Sequence, residues 1–396
     1  MAFSKLTNCL ACNSKRLRKV FNLGKQPLAN SYLSKSNSKD KRYELKVNCC
    51  IDCTHLQLSI AVDPKIIYQD YDYLSGTSKT YKNYMEKFYK LALRNNKRLV
   101  NKNVLDIGCN DGSQLDIFKK NNFKTFGVDP AKNIFKISSK KHKIICDFFN
   151  EKVVNRLNSK FDFIITQNSF AHNIDPLIFL SNVKKMMHHN SCLMIQTSQA
   201  NMCKNYEFDT IYHEHISFFN IRSMRSLLKR VDLYLDNVIK DPIHGTSYIF
   251  IIKLKSNEDK FKKLLKEESF LNYNFYKHWE KKCKKMVSES KKKFKIISKK
   301  KIVIGYGAAA KANTFLNYSK IKLNIIIDDK KFKQNKFCPG TKIPIKSSNY
   351  IKRFRENIYV VPLAWNFYKE IKRKVKKIRK KNNDKFIIFY PKFKII

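Results

Sequence analysis

The chain has 396 residues, of which 43% are hydrophobic, and a formal net charge of +49. That length allows two or three domains with cores of their own. No apolar run is long enough for a bilayer and Met1 to Thr7 carry no apolar signal core, so a cytoplasmic protein without membrane contact is expected.

The charge invites a polyanion partner. Yet only 13 of the 81 basic residues are arginine, the residue suited to bidentate phosphate and base contacts. The lysines run along the whole chain, apart from local runs such as Lys372 to Lys381. Biased composition accounts for them and nucleic acid is not expected as partner, although a basic surface still attracts an anionic substrate.

In chain order, the first feature is a pair of matched turns, Cys9-Leu-Ala-Cys12 and Cys50-Ile-Asp-Cys53. Each places two thiolates within reach of one ion, and two such turns close a tetrahedral Zn2+ site with no open position. Cys49 is the competing ligand, but the symmetric spacing favours Cys50. Short strands surround the cysteines to about residue 65, an aromatic linker containing Tyr73 follows, and a helix runs from about Tyr81 to Asn95.

From Asn103 apolar strands alternate with helical stretches: Val104–Ile107, Thr125–Val128, Ile144–Cys146, Phe161–Thr166 and Cys192–Gln196. This pattern is a parallel α/β sheet. The first strand ends in Asp106-Ile-Gly108-Cys-Asn110-Asp-Gly112, a glycine turn that lets the backbone approach a ligand. Asp106 suits a charged amine, Asp129 at the end of the second strand suits two ribose hydroxyls, and Asp147 after the third suits an adenine amino group. Asn110, Phe148, Gln167 and Asn168 complete the expected cofactor set. No lysine follows the glycines and nothing cradles a pyrophosphate, so S-adenosylmethionine (SAM) fits better than a dinucleotide.

Past the fifth strand lies Tyr212-His213-Glu214-His215, where open α/β sheets place chemistry. A histidine beside a carboxylate suits a general base. A metal pair of His213 and His215, or a structural polar loop, fits the same residues. His172, after the fourth strand, is a further candidate at the same rim. Residues from about 258 to 300 read as helix. Strand patterns resume at Lys301–Ile304, Leu323–Ile327 and Ile358–Val361, with a second glycine turn from Gly305-Tyr306-Gly-Ala to Lys311 and Asn313. That turn could hold a phosphate at a helix N-terminus with Lys311 as counter-charge, or be a packing turn. Asp328-Asp329 resembles a ribose acid and equally could cap a helix.

Taken together, the paired CxxC turns, Val104 to Gly112, Tyr212 to His215, the block Gly305 to Thr314 and Pro339-Gly-Thr-Lys-Ile-Pro344 resemble the three-domain SAM-dependent C-methyltransferases of nucleotide-linked keto-sugars. The resemblance covers nearly the whole chain. It implies an α/β protein: a zinc-binding module (1–75), a class I SAM-methyltransferase Rossmann-like domain (76–255) and a C-terminal Rossmann-like domain (256–396). It also implies that Tyr212, Glu214 and His215 line the sugar site with His215 as base, that Tyr73 reaches the sugar, and that His244, Gly305, Tyr306, Lys311 and Asn313 bind substrate. Two departures stand in the His244-Gly-Thr246-Ser247 loop: Thr246 replaces a glycine, and Ile249 stands where the family usually carries a basic residue. The expected activity is C-methyl transfer through an enolate, by a monomer. The competing readings are an RNA-modifying methyltransferase and a SAM-binding protein without catalysis.

Overall fold

The computed structural model describes residues 2–69, 71, 74–77, 79–197, 202–256 and 260–396. The chain divides into two compact units, each built from separate stretches: residues 1–18, 48–200 and 216–273 in the first, and 19–47, 201–215 and 274–396 in the second.

The first unit is organised by a seven-stranded sheet of β1 (Asn103–Ile107), β2 (Lys124–Val128), β3 (Lys143–Ile145), β4 (Phe161–Gln167), β5 (Met187–Thr197), β6 (Tyr234–Asp241) and β7 (Ser247–Lys253). The spatial order is β3-β2-β1-β4-β5-β7-β6; β1 to β5 pair in parallel, and β7 runs antiparallel to both β5 and β6. This is the class I methyltransferase order. β4 is buried along Phe161 to Thr166, on both faces as a parallel strand should be, and its one charged residue, Asp162, accepts the backbone N–H groups of Val100, Asn101 and Asn103. Along β7, Tyr248, Phe250 and Ile252 join one core layer while Ile249 and Ile251 join the other, the period of two that a pleated strand imposes.

Ile249 is thus a core residue, packed in the layer of Tyr84 and Leu115. A basic side chain there would be buried among apolar neighbours. Around the cysteines, Phe3–Lys5 pairs antiparallel with Ile60–Val62, and Leu56–Leu58 with Ser217–Phe218. Among the described residues no helix is long and apolar enough to cross a membrane.

The second unit holds a six-stranded sheet of β8 (Val303–Tyr306), β9 (Ile326–Ile327), β10 (Ile345–Lys346), β11 (Tyr359–Pro362), β12 (Lys385–Ile388) and β13 (Lys394–Ile395), in the order β10-β9-β8-β11-β12-β13. All pairs are parallel except β12 with β13. Its first five strands repeat the order of the first five of the other sheet. The helical stretch expected from about 258 resolves into Lys262–Glu267 and Tyr273–Lys300. The long helix buries Tyr276, Trp279, Cys283, Val287 and Phe294, three to seven residues apart along one face.

Candidate functional site

The four cysteines of the paired turns come together. Their sulfurs all lie within 4.8 Å of one another, with Cys9 Sγ 3.5 Å from Cys53 Sγ and Cys12 Sγ 3.5 Å from Cys50 Sγ. Cys49 takes no part: its thiol turns to the Cys50 carbonyl at 3.3 Å, and burial pushes it up to about 12. Among the described residues this is the only cluster of three or more ligating side chains, so His213 and His215 join no such group. Four thiols this close cannot all ionise by themselves. The Cys50 sulfur is the main reason that the Cys9 thiol is pushed up to about 12, and a dication at the centre reverses that penalty. Outer bonds hold the loops: Leu10 N–H donates to Gln57 Oε1 at 2.8 Å, and Asp52 accepts from Arg16 and Ser14. The donor set and its spacing fit Zn2+.

At the first glycine turn, Gly108 and Gly112 sit at φ of +79° and +77°. A Cβ on Gly108 would come within 2.6 Å of the Ser169 Cβ, so only glycine fits. Asp129 anchors the turn: its Oδ2 accepts from Asn110 N–H at 2.9 Å and its Oδ1 from Ala131 N–H at 3.0 Å. Burial raises its pKa. Asp106 is the informative group. It is buried, its Oδ1 has no partner, and desolvation, then Asp129 and Asp111, push it up to about 8. A buried acceptor without a donor is costly, and the cationic amine of SAM is the kind of donor it lacks.

Asp147 Oδ1 accepts the N–H of Phe148 at 2.7 Å. Gln167 donates to Gln114 at 3.0 Å and keeps its own buried oxygen unpartnered, and Asn168 reaches the Tyr81 hydroxyl at 3.4 Å. His244 packs beside the same Tyr81 ring, with centroids 5.3 Å apart. His172 stacks on Tyr68 at 5.5 Å and is driven down to about 4 by desolvation, which keeps it neutral. Tyr73 lies outside the described residues.

In the second unit, Tyr212, Glu214 and His215 form one turn, closed by His215 N–H donating to the Tyr212 carbonyl at 2.9 Å. The His215 ring is fixed at both nitrogens. Nδ1 lies 2.7 Å from the Thr210 carbonyl oxygen, which can only accept, so Nδ1 carries the proton. Nε2 then has a free pair and accepts the Tyr212 hydroxyl at 2.8 Å. His215 is 4% exposed while Tyr212 is only partly buried, so the phenol is the outer member of the pair. His213 points away into the interior against Tyr43, where burial drives it down to about 4. Glu214 Oε1 accepts from Asn30 Nδ2 at 2.6 Å.

The second glycine turn repeats the first. Asp328, at the end of β9, accepts Ala308 N–H on Oδ2 at 2.8 Å and Lys330 N–H on Oδ1 at 2.9 Å. Asp129 makes the same two bonds to its own turn. The turn glycine here is Gly307, at φ +96°. Gly305 lies inside β8, where a Cβ would meet Leu363 and Ile326 side chains at 2.7 and 2.9 Å, a packing role. Tyr306 gives its hydroxyl to Asp329 at 3.0 Å. Asn313 donates to the Ala29 carbonyl at 2.7 Å and keeps a buried, unpartnered Oδ1. Lys311 sits 3.8 Å from Glu207 and 4.9 Å over the Trp365 ring, whose indole N–H donates to Asp209 at 2.8 Å. Burial pushes Glu207 up to about 7, against the pull of Lys311. Sequence reasoning passed over Gly307, Glu207, Asp209, Trp365 and Asn30. Only Gly307 had a local signal, the second glycine of Gly305-Tyr-Gly307.

Three family models match the chain in succession: a zinc binding domain at residues 9–68, a methyltransferase domain at 79–238 and a C-methyltransferase C-terminal domain at 242–391. The C-methyltransferase NovU of Streptomyces niveus is 23% identical over 409 residues, which cover 99% of this chain and 97% of NovU. Among solved structures, a SAM-dependent methyltransferase from Clostridium acetobutylicum (15% identity, 44% of this chain and 92% of that one, TM-score 0.35) is similar in part. So is the magnesium protoporphyrin IX methyltransferase of Synechocystis with bound SAM (11% identity, 44% and 80%, TM-score 0.34). The first sheet and its glycine turn define a SAM-dependent methyltransferase that carries zinc. Its three matched modules stand in the order expected of a C-methyltransferase with an N-terminal zinc-binding part.

Asp106 and Asp129 give a test of the SAM site. An ammonium of SAM seated on Asp106 would favour its ionised form, against the burial that pushes this carboxyl up to about 8. Binding at pH 7 should therefore release a proton, seen as a calorimetric heat that depends on the buffer, and affinity should rise from pH 7 to 8. Asp129→Ala removes charge-assisted bonds worth about 2–3 kcal/mol and should weaken SAM binding by more than tenfold. Unchanged affinity would contradict the assignment.

Proposed function

We propose that the protein transfers a methyl group from SAM to a carbon beside the ketone of a nucleotide-linked sugar. The observation that carries this reading is the repeated acid: Asp328 holds its turn as Asp129 holds the SAM turn. One chain thus has two turns of the form that receives a ribose, and SAM needs only one. The second lies in the unit that also contains Tyr212, Glu214 and His215, which supports a substrate that is itself a nucleoside derivative. Lys333, 3.8 Å from Asp328, supplies positive charge for its phosphates.

SAM supplies an electrophilic methyl on sulfur; the remaining chemistry belongs to the chain. The hydrogen beside the ketone is acidic. Tyr212 oxygen accepts it while the phenol proton passes to His215 Nε2, leaving imidazolium and an enolate. The carbonyl of Thr210 stabilises the imidazolium through Nδ1–H. The enolate carbon takes the methyl, and alignment supplies much of the rate. Glu214 accepts a sugar hydroxyl. Zinc stays outside the chemistry because four thiolates leave it no open position. None of the eleven cysteines is in a disulfide, which supports a reducing setting.

The test is incubation of the zinc-loaded protein with SAM and a panel of keto-sugar nucleotides, read by mass spectrometry. A methylated nucleotide sugar is expected. Methylation of RNA instead, or no product across the panel, would overturn the substrate assignment.

A further inference from the structure

The five residues Ala29 to Leu33 run between the two features of the second unit and are tied at four positions, 29, 30, 32 and 33. The Ala29 carbonyl accepts Asn313 Nδ2 at 2.7 Å. Asn30 Nδ2 donates to Glu214 Oε1 at 2.6 Å. Tyr32 Oη donates to the Ala308 carbonyl at 2.5 Å. Leu33 exchanges both backbone bonds with Phe337, at 3.0 and 2.8 Å.

Ala308 is where these ties meet the second glycine turn. Its N–H is held by Asp328, and its carbonyl takes a second donor, Lys333 Nζ, at 2.8 Å. Lys333 also lies 5.0 Å over the Tyr32 ring. Tyr32 and Lys333 therefore share the Ala308 carbonyl, and Asp328 holds the N–H of the same residue. A phosphate that draws on Lys333 changes the partners of the carbonyl from which Tyr32 hangs, and a ribose that draws on Asp328 changes the hold on the N–H of that same residue. Two residues away, at most about 7 Å of extended chain, the same strap grips Glu214.

We propose that Asn30 is a positioning residue for Glu214, and that Tyr32 makes this positioning answer to occupation of the glycine turn at Ala308. Asn30 orients Glu214 by a charge-assisted bond to its Oε1. The two ties lie two residues apart, so a shift of Tyr32 is passed to Asn30 through a short stretch of backbone. Nucleotide binding and the set of the catalytic turn are then linked, so a substrate is gripped for reaction only when its nucleotide is seated. The inference rests on the nucleotide reading of the second turn.

Hydrogen exchange by mass spectrometry on the full-length, zinc-loaded protein separates the two claims, with thymidine diphosphate and uridine diphosphate as probes. In the wild type one of them should slow exchange across residues 305–312 and also across 212–215. Asn30→Ala and Tyr32→Phe should keep the first protection and lose the second. In turnover, Asn30→Ala should lower kcat with an unchanged KM for SAM, and add nothing in a Glu214→Gln background. Protection at 305–312 without protection at 212–215 in the wild type, or both protections surviving in both variants, overturns the linkage and leaves the nucleotide reading standing. No protection by either probe overturns both. Zinc content and melting temperature equal to wild type show that the variants are folded. Tyr32→Phe, which deletes a single oxygen, carries the test should Asn30→Ala melt early.

Discussion

Cys12→Ser should strip zinc from the protein and lower its melting temperature by roughly 10–20 °C. The reasoning starts from where the cysteines lie. Cys9, Cys50 and Cys53 are 1%, 0% and 3% exposed, and with Ala11 they belong to the same packed cluster as Phe219, Ile221 and Met224 of the first unit. The metal is thus a staple set into the edge of a core. Structural zinc in small peptides contributes about 10–16 kcal/mol to folding. Part of that is replaced here by apolar packing that survives metal loss. A remaining loss of about 5 kcal/mol corresponds to the stated shift for a unit of this size. Serine at position 12 also leaves three buried thiols without a cation to share. Metal analysis and thermal unfolding should move together, and a chelator should reproduce the variant. A Cys9/Cys50 double variant with full zinc content would refute the four-cysteine site.

The parts that were legible in the sequence are those with a local cause. Two CxxC turns need only their own spacing to suggest a metal site. The parallel strands announce themselves because β1, β4 and β5 are rich in apolar residues buried on both faces, with the shorter β2 and β3 in step beside them. The glycine turn and the acids at Asp106 and Asp129 follow from a strand-turn-helix unit whose ligand edge is set by topology. Two kinds of feature stayed hidden. One is the antiparallel pair β6 and β7, whose Tyr234–Asp241 and Ser247–Lys253 carry no glycine turn into a helix to mark them. The other is any residue whose role depends on distant pairing. Asn30 matters because Glu214, far along the chain, lies against it. The parallel between Asp328 and Asp129 appears only when each is seen to accept an N–H of its glycine turn on Oδ2 and the N–H two residues on at Oδ1. Gly305 shows the converse: it looked like a ligand contact, yet it occupies a strand position where neighbouring side chains leave no room for a Cβ.

His215→Asn should abolish most turnover, by about 10²–10⁴ in rate, while SAM binding is retained. Asparagine can keep a hydrogen bond to the Thr210 carbonyl but offers the Tyr212 hydroxyl no basic nitrogen. The companion variant is the more discriminating. Tyr212→Phe keeps the ring, which packs 4.0 Å from the imidazole centroid, and removes only the hydroxyl that lies on Nε2. If the proton leaves the sugar through the phenol, this variant loses proton abstraction as fully as His215→Asn does. If His215 takes the proton unaided, Tyr212→Phe uncovers Nε2 and abstraction persists. Heavy water with a SAM analogue that cannot donate its methyl isolates that step, because the substrate's acidic C–H then exchanges for deuterium without product forming. The wild type should exchange and both variants should not. Exchange in Tyr212→Phe at the wild-type rate would leave His215 as the sole base and reduce Tyr212 to a donor for the enolate oxygen. Exchange in His215→Asn would move the base elsewhere, to the neutral His172 or to Tyr73. The tautomer supports the relay over direct abstraction by His215: a nitrogen whose lone pair already accepts a phenol proton cannot reach carbon until that phenol yields its place or its proton, and yielding the proton requires the smaller motion.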